Sequence, residues 1–93
     1  FDKHILNVSK YFFDQLSKTQ NKFPTIIKEI RGKGLMIGIQ FFEEPSKFLK
    51  EFYNNKLITV KASDNVIRIL PPLNVKKEEI DEGINIITKT LQK

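Results

Sequence analysis

The feature that most constrains the fold is the alternation of side chains at residues 35–42. Its odd-numbered members are large and apolar, and its even-numbered members form a smaller, mixed set: Leu35, Ile37, Ile39 and Phe41 against Met36, Gly38, Gln40 and Phe42. Because successive side chains of a strand point to opposite faces, this period of two predicts a strand with one face in the core. A glycine inside a strand, here Gly38, often marks a place where a ligand or another backbone comes close.

Three other segments have the periodicity of amphipathic helices, and they predict helices over residues 2–20, 45–53 and 77–91. In the last of these, apolar residues recur at spacings of 4, 3 and 4 as Ile80, Ile84, Ile87 and Leu91. In the second, the predicted buried stripe is Phe48, Leu49, Phe52 and Tyr53, with a left-handed stop at Asn54-Asn55. Asp2 and Asn74 are the predicted N-terminal caps of the first and last helices.

The remaining segments complete a small sheet. Residues 26–31, 57–60 and 66–70 are predicted to be extended, and Arg31-Gly32-Lys33-Gly34 is predicted to be a turn or bulge. The order of elements and the short connections predict one α+β domain over residues 1–93, a small, mainly antiparallel sheet with helices on one face. The other face of that sheet is left without helices.

The net charge of +5 has two interpretations. A basic surface attracts nucleic acid or other anions, but fourteen of the sixteen basic residues are lysines scattered along the chain. We therefore favour a solvated lysine-rich surface. The chain has no cysteine and a single histidine, His4, so it offers neither a thiolate metal site nor a paired-histidine mechanism. No catalytic residue and no metal ligand is assigned.

Arg68 is the residue that stands out. It lies in the middle of the apolar run Val66-Ile67-Arg68-Ile69-Leu70, where an unpartnered charge is expensive to bury. Two interpretations stay open from spacing alone. In the structural interpretation, Arg68 forms a salt bridge or reaches water from an edge strand. In the functional interpretation, its guanidinium is held on a strand to bind a carboxylate or phosphate.

Two motifs together resemble a known family. Ile30-Arg31-Gly32-Lys33-Gly34-Leu35-Met36-Ile37-Gly38-Ile39 is followed by Asn65-Val66-Ile67-Arg68-Ile69-Leu70-Pro71-Pro72-Leu73 and then Glu78-Glu79-Ile80-Asp81. In this order and spacing they closely resemble the C-terminal end of class III pyridoxal-phosphate-dependent aminotransferases. Within that class the chain looks most like the acetylornithine and ornithine aminotransferases. The resemblance covers nearly the whole chain.

The resemblance implies a role for one residue of this chain. In the family the matching segment is the C-terminal part of a small domain, which packs beside a large domain that carries the cofactor lysine. Arg68 then binds the α-carboxylate of the substrate, and Met36 and Gly38 face the large domain. The implied enzyme uses pyridoxal phosphate, acts on amino acids and 2-oxo acids in arginine biosynthesis, is a homodimer and is cytoplasmic. It binds neither nucleic acid nor membrane.

One motif of the family, the one that contains the cofactor lysine, is missing from this chain. None of the fourteen lysines stands in the cofactor-lysine context of the family, so we expect the 93 residues alone to be inactive. The start at Phe1 within a helical pattern also predicts a fragment of a longer chain. Two alternatives remain: an ornithine or other ω-amino-acid aminotransferase of the same class, or an independent anion-binding module.

Overall fold

Three helices and four strands make up the described part of the chain. The computed structural model describes residues 3–33, 36–55, 57, 59–71 and 74–93, with Lys33 described by its backbone only. The elements in chain order are α1 (Lys3–Lys22), β1 (Ile27–Lys33), β2 (Met36–Phe41), α2 (Ser46–Asn54), β3 (Thr59–Lys61), β4 (Val66–Ile69) and α3 (Lys77–Leu91). Among these described residues, no helix combines the length and the apolar composition that crossing a bilayer requires.

The four strands form one antiparallel sheet in the order β1-β2-β4-β3. One face of the sheet joins residues of all three helices in a single core, which includes Phe12, Ile39, Phe52, Ile67 and Ile87. The predicted α+β class is confirmed. The predicted apolar face of β2 is confirmed as well, because Ile37, Ile39 and Phe41 belong to the core. On the other face Met36 is exposed, whereas Gly38 and Gln40 are buried. Leu35 lies outside the described residues.

The long helix α1 follows its predicted stripe. Val8, Phe12 and Leu16 are buried along one face, as the spacing of three to four residues requires. The helix continues to Lys22, two residues beyond the predicted end. The predicted cap Asp2 lies outside the described residues.

The predicted turn at Arg31-Gly32-Lys33-Gly34 is wrong for its first three residues. Arg31, Gly32 and Lys33 continue strand β1 and pair with Gly38, Ile37 and Met36, and the irregularity in this ladder lies earlier, between Ile27 and Glu29. Gly34 is outside the described residues. Gly32 serves close packing, since a Cβ placed there would be 2.8 Å from Cδ2 of Phe13 on α1.

Gly32→Ala should therefore destabilise the fold by about 1–3 kcal/mol, because the Phe13 ring or the whole of α1 must shift. Denaturant unfolding of the chain measures this free energy. In a Phe13→Ala background the same substitution should cost little, since the clashing ring is gone. An equal cost in both backgrounds would show that the contact with Phe13 is not the reason for the glycine.

The buried stripe of helix α2 contains fewer residues than predicted. Phe52 is fully buried, and Phe48 and Leu49 are half-buried. Tyr53, predicted to belong to this stripe, is 81% exposed. A helix advances about 100° per residue, so a neighbour of the residue at the centre of the buried face points well away from it. The helix does stop at Asn55, but with φ of −97° this residue is not left-handed as predicted.

Helix α3 has the predicted bounds, and its stripe is buried at Ile80, Ile87 and Leu91, with Ile84 half-buried. The predicted cap at Asn74 is wrong. The N-cap is Lys76, whose backbone N–H donates to Glu79 Oε1 at 2.9 Å. A glutamate at the third helical position can satisfy this donor even though the cap residue has no accepting side chain.

Gly83 lies within α3, and because glycine costs a helix roughly 1 kcal/mol against alanine, its presence predicts close packing. A Cβ at this position would instead lie 3.6 Å from Leu57 Cδ1, which is ordinary van der Waals contact. Gly83→Ala should thus stabilise the chain by up to about 1 kcal/mol through its higher helix propensity. A rise in the denaturation midpoint at unchanged m-value checks this. A lower midpoint would mean that the helix packs more tightly than this distance indicates.

Candidate functional site

Arg68 lies on an interior strand. Strand β4 pairs with β2 on one side and β3 on the other, and the residues directly opposite Arg68 are Gly38 and Val60. The suggestion of an edge-strand arginine is therefore wrong. Val66 and Ile67 are buried around it, yet Arg68 itself is exposed, because it points to the sheet face that carries no helices.

Arg68 also takes no part in the structural ion pairs of the described residues. The four pairs found there are Lys10–Asp14, Arg31–Glu29, Lys61–Glu44 and Lys93–Glu51. None of them includes Arg68, and the same holds for the hydrogen bonds between described side chains. Its guanidinium presents its N–H donors in the fork geometry that matches a carboxylate.

Gly38 keeps the space beside Arg68 open. It is buried in the middle of β2, and a Cβ there would lie 3.1 Å from Val66 Cγ1. With no side chain at this position, a groove of about 340 Å³ runs across the open face of the sheet. Its lining includes Arg31, Met36, Gly38, Ala62, Asp64 and Arg68. The close approach of a ligand or another backbone at Gly38 stays a prediction.

The second arginine, Arg31, faces the same groove but is already engaged. It stands across Gly38 from Arg68, since Gly38 is the partner of both residues in the two ladders. Its Nε donates to Glu29 Oε2 and its Nη2 donates to Gln40 Oε1, each at 3.0 Å. The two arginines of the chain thus differ. The fork of Arg31 is used within the fold, and that of Arg68 is not used by the described residues.

The surface around Arg68 is largely apolar. On the same sheet face, Met36 and Val60 are 54% and 49% exposed. Large apolar side chains that cluster on one exposed face are typical of an interaction surface. Since a carboxylate–guanidinium pair is stronger where water is excluded, a partner that covers this face would strengthen anion binding at Arg68.

Lys61 does not belong to this site. Its ammonium forms an ion pair with Glu44 and lies 3.2 Å from Ser46 Oγ at the start of α2. Glu44 Oε1 also accepts the backbone N–H of Ser46 at 2.5 Å. Glu44 therefore lies at the start of α2, where the helix dipole favours a negative charge.

Among the described residues, Tyr11 has a clearly shifted pKa, and it lies among the helices. Tyr11 on α1 donates a hydrogen bond to Asp81 on α3, and the Lys77 ammonium is 4.7 Å from the centre of its ring. The bond to Asp81, with smaller contributions from desolvation and nearby negative charges, raises the pKa of Tyr11 above its usual value. This contact links two helices and is remote from the open sheet face.

Gln40 is the member of the site that sequence reasoning missed. It is a buried side chain, 8% exposed, and it connects Arg31 to the backbone carbonyl of Asp64 through its Nε2 at 3.1 Å. The available signal was a polar residue on a strand between apolar neighbours. Its partner in the turn is 24 residues away, which sequence spacing does not reveal.

Comparison with known proteins identifies the family. The chain matches the family model "Aminotransferase class-III" over residues 1–91. It is 36% identical over 89 residues to a mitochondrial acetylornithine aminotransferase of Yarrowia lipolytica, covering 96% of this chain and 22% of that protein. It is 38% identical over 82 residues to an ornithine aminotransferase of Staphylococcus carnosus, covering 88% of this chain and 20% of that protein.

A solved structure shows the same fold. An acetylornithine aminotransferase from Elizabethkingia anophelis superposes with a TM-score of 0.79 at 27% identity, over 90% of this chain and 23% of that one. The chain spans about one fifth of the length of the curated relatives it matches. Because the family model covers all but the last two residues, the chain belongs to the class-III aminotransferase family.

Proposed function

We propose that this chain is the C-terminal small domain of a pyridoxal-phosphate-dependent aminotransferase, in which Arg68 binds the α-carboxylate of the substrate. The observation that carries the proposal is the Arg68 side chain itself. It extends from an interior strand beside a glycine, into an open groove, and no carboxylate of the described residues pairs with it. An arginine held in this way provides two parallel N–H donors for a carboxylate.

The chemistry that this chain contributes is binding and orientation. A carboxylate held by both arms of Arg68 has a fixed direction, so the amino group on the adjacent carbon is directed away from the sheet. Fixing that direction lowers the entropic barrier to reaction. The apolar side chains around Arg68 would exclude water once the rest of the enzyme covers the open face, which strengthens the charged hydrogen bonds.

The described residues do not fit the cofactor itself. Pyridoxal phosphate supplies an electron sink and is held by a lysine amine, and no lysine is found among the described side chains that line the groove. We therefore assign cofactor binding to the part of the enzyme outside this chain. The residues present fit the substrate's carboxylate, and the proposed role of the chain stops there.

For the substrate we propose N-acetylornithine as amino donor and 2-oxoglutarate as acceptor, the reaction used in arginine biosynthesis. Support comes from the acetylornithine aminotransferase name of the Y. lipolytica relative at 36% identity. The S. carnosus relative at 38% identity favours ornithine as a second candidate donor. Side-by-side rates of the full-length enzyme with the two donors distinguish these candidates.

The assembly and the location belong to the same proposal. We place the intact enzyme as a homodimer in the cytoplasm, on the family resemblance. The mitochondrial name of the Y. lipolytica relative gives the competing location. Light scattering of the full-length enzyme and fractionation of the cells that make it measure the two properties.

The test of the enzymatic proposal is reconstitution. The full-length protein is expected to bind pyridoxal phosphate, to show its visible absorbance and to transfer an amino group to 2-oxoglutarate. The 93-residue chain under the same conditions should show none of these three properties. A full-length protein that binds no cofactor, or a 93-residue chain that transfers amino groups alone, would contradict the proposal.

A further inference from the structure

Gln40 connects two parts of the open sheet face through a single buried amide. Its Oε1 accepts from Arg31 Nη2 at 3.0 Å, and its Nε2 donates to the Asp64 carbonyl at 3.1 Å. Because a guanidinium only donates and a backbone carbonyl only accepts, these two partners can be satisfied by one orientation of the amide. Glu29 Oε2 holds Arg31 from its other side at 3.0 Å.

The Asp64 carbonyl, which is the last partner in this series of hydrogen bonds, belongs to an unusual turn. Asp64 and Asn65, which join β3 to β4, both have φ of 62°. Positive φ is uncommon outside glycine, although aspartate and asparagine tolerate it best. Strand β2 holds the turn at two successive residues, since the Phe41 N–H donates to the Asn65 carbonyl at 2.9 Å next to the Gln40 contact.

The turn determines on which face of the sheet the Arg68 side chain lies. Asn65 directly precedes β4, and Arg68 is the third residue of that four-residue strand. Since side chains alternate between the faces, a slip of one residue would place Arg68 in the core and Ile67 on the open face. A strand this short has few ladder contacts of its own to resist such a change.

We propose that Gln40 and Arg31 are positioning residues for Arg68. Their hydrogen-bonded chain to the Asp64 carbonyl fixes the β3–β4 turn, and the turn fixes the point at which the Arg68 guanidinium enters the groove. The inference rests on the proposed carboxylate-binding role of Arg68. It also explains why the two arginines on this face differ, one engaged within the fold and one facing the groove.

The experiment is a kinetic double-mutant cycle in the full-length enzyme, with glutamate as the varied substrate. Gln40→Leu removes both hydrogen bonds, and we expect it to raise KM for glutamate about tenfold with kcat changed less than about twofold. Combined with Arg68→Ala, it should add less than about twofold, because no fork remains to be positioned. Gln40→Asn keeps the amide, but its side chain is one methylene shorter, so we expect it to keep only one of the two hydrogen bonds and also to raise KM. This variant replaces Gln40→Leu in the test if the leucine variant does not fold.

Val8→Ala is the matched control for stability. Val8 is 7% exposed on α1, in the core on the opposite side of the sheet from the groove, so its truncation should lower the melting temperature without a change in KM. The positioning role is overturned if Val8→Ala raises KM as much as Gln40→Leu does, or if the Gln40 effect persists unchanged in the Arg68→Ala background. If Arg68→Ala alone leaves KM for glutamate unaltered, the carboxylate role of Arg68 has failed, whatever the Gln40 variants show.

Discussion

We expect the replacement of Arg68 with alanine in the full-length enzyme to lower kcat/KM for glutamate by about two to three orders of magnitude. Truncating one partner of a desolvated, hydrogen-bonded charge pair costs about 2–5 kcal/mol, and each 1.4 kcal/mol is a factor of ten. The effect is large because the remaining carboxylate is left without its two donors. Steady-state rates at varied glutamate concentration measure it.

A second substrate locates this loss at the α-carboxylate. The amine that remains when glutamate loses that group, 4-aminobutyrate, cannot use Arg68 in the same way. Wild-type enzyme should strongly prefer glutamate, and the Arg68→Ala enzyme should lose most of this preference. Arg68→Lys, which keeps the charge but not the fork, should fall between the two.

Lys89→Ala serves as the charge control. Lys89 is exposed on α3, on the helical side of the sheet, so its removal changes the net charge by the same amount as Arg68→Ala. Its rate constants should equal those of wild type. An Arg68→Ala enzyme with normal efficiency toward glutamate would show that the assigned role is wrong.

Phe52→Ala should be the most damaging of the single core truncations considered. Phe52 is fully buried on α2, with its ring centre 6.5 Å from that of Phe48. Removing a buried phenylalanine side chain costs about 3–5 kcal/mol, a large part of the roughly 5–15 kcal/mol that stabilises a typical domain. Chemical denaturation of the chain should show a much lower midpoint, or no folded baseline.

The neighbouring residue provides the matched control. Tyr53 is aromatic, lies on the same helix and is 81% exposed, so Tyr53→Ala should change stability by no more than about 0.5 kcal/mol. Similar losses at both positions would show that the chain buries Tyr53 in solution.

Local patterns predicted most of the helices and strands, because local spacing is enough to determine which face of an element is apolar. Helix α3 shows this best, since its 4-3-4 stripe placed both ends where the structure has them. The error at Gly32 came from a contact that is distant in sequence. Gly32 resembled a turn glycine, but the reason for it is the Phe13 ring, 19 residues earlier.

At the candidate site too, local spacing was informative, and contacts between residues distant in sequence were not predicted. Arg68 stood out from spacing alone, as a charge within an apolar strand. Whether it was an edge arginine, a salt-bridge arginine or a ligand-binding one depended on the strand order, which places β4 in the interior. Gln40 escaped notice because its importance lies in two partners brought together only by the folded sheet.

With the role proposed for Arg68, the strand order would also couple the binding of substrate to folding. Strands β1 and β2 form one hairpin and β3 and β4 another, and the β2–β4 ladder pairs the two within the sheet. Gly38 and Arg68 face each other across that ladder, so neither hairpin alone contains the groove. A carboxylate bound there stabilises only the joined sheet, by an amount that grows with the logarithm of its concentration. Substrate should therefore protect the β2–β4 amide protons from hydrogen exchange more than those within either hairpin.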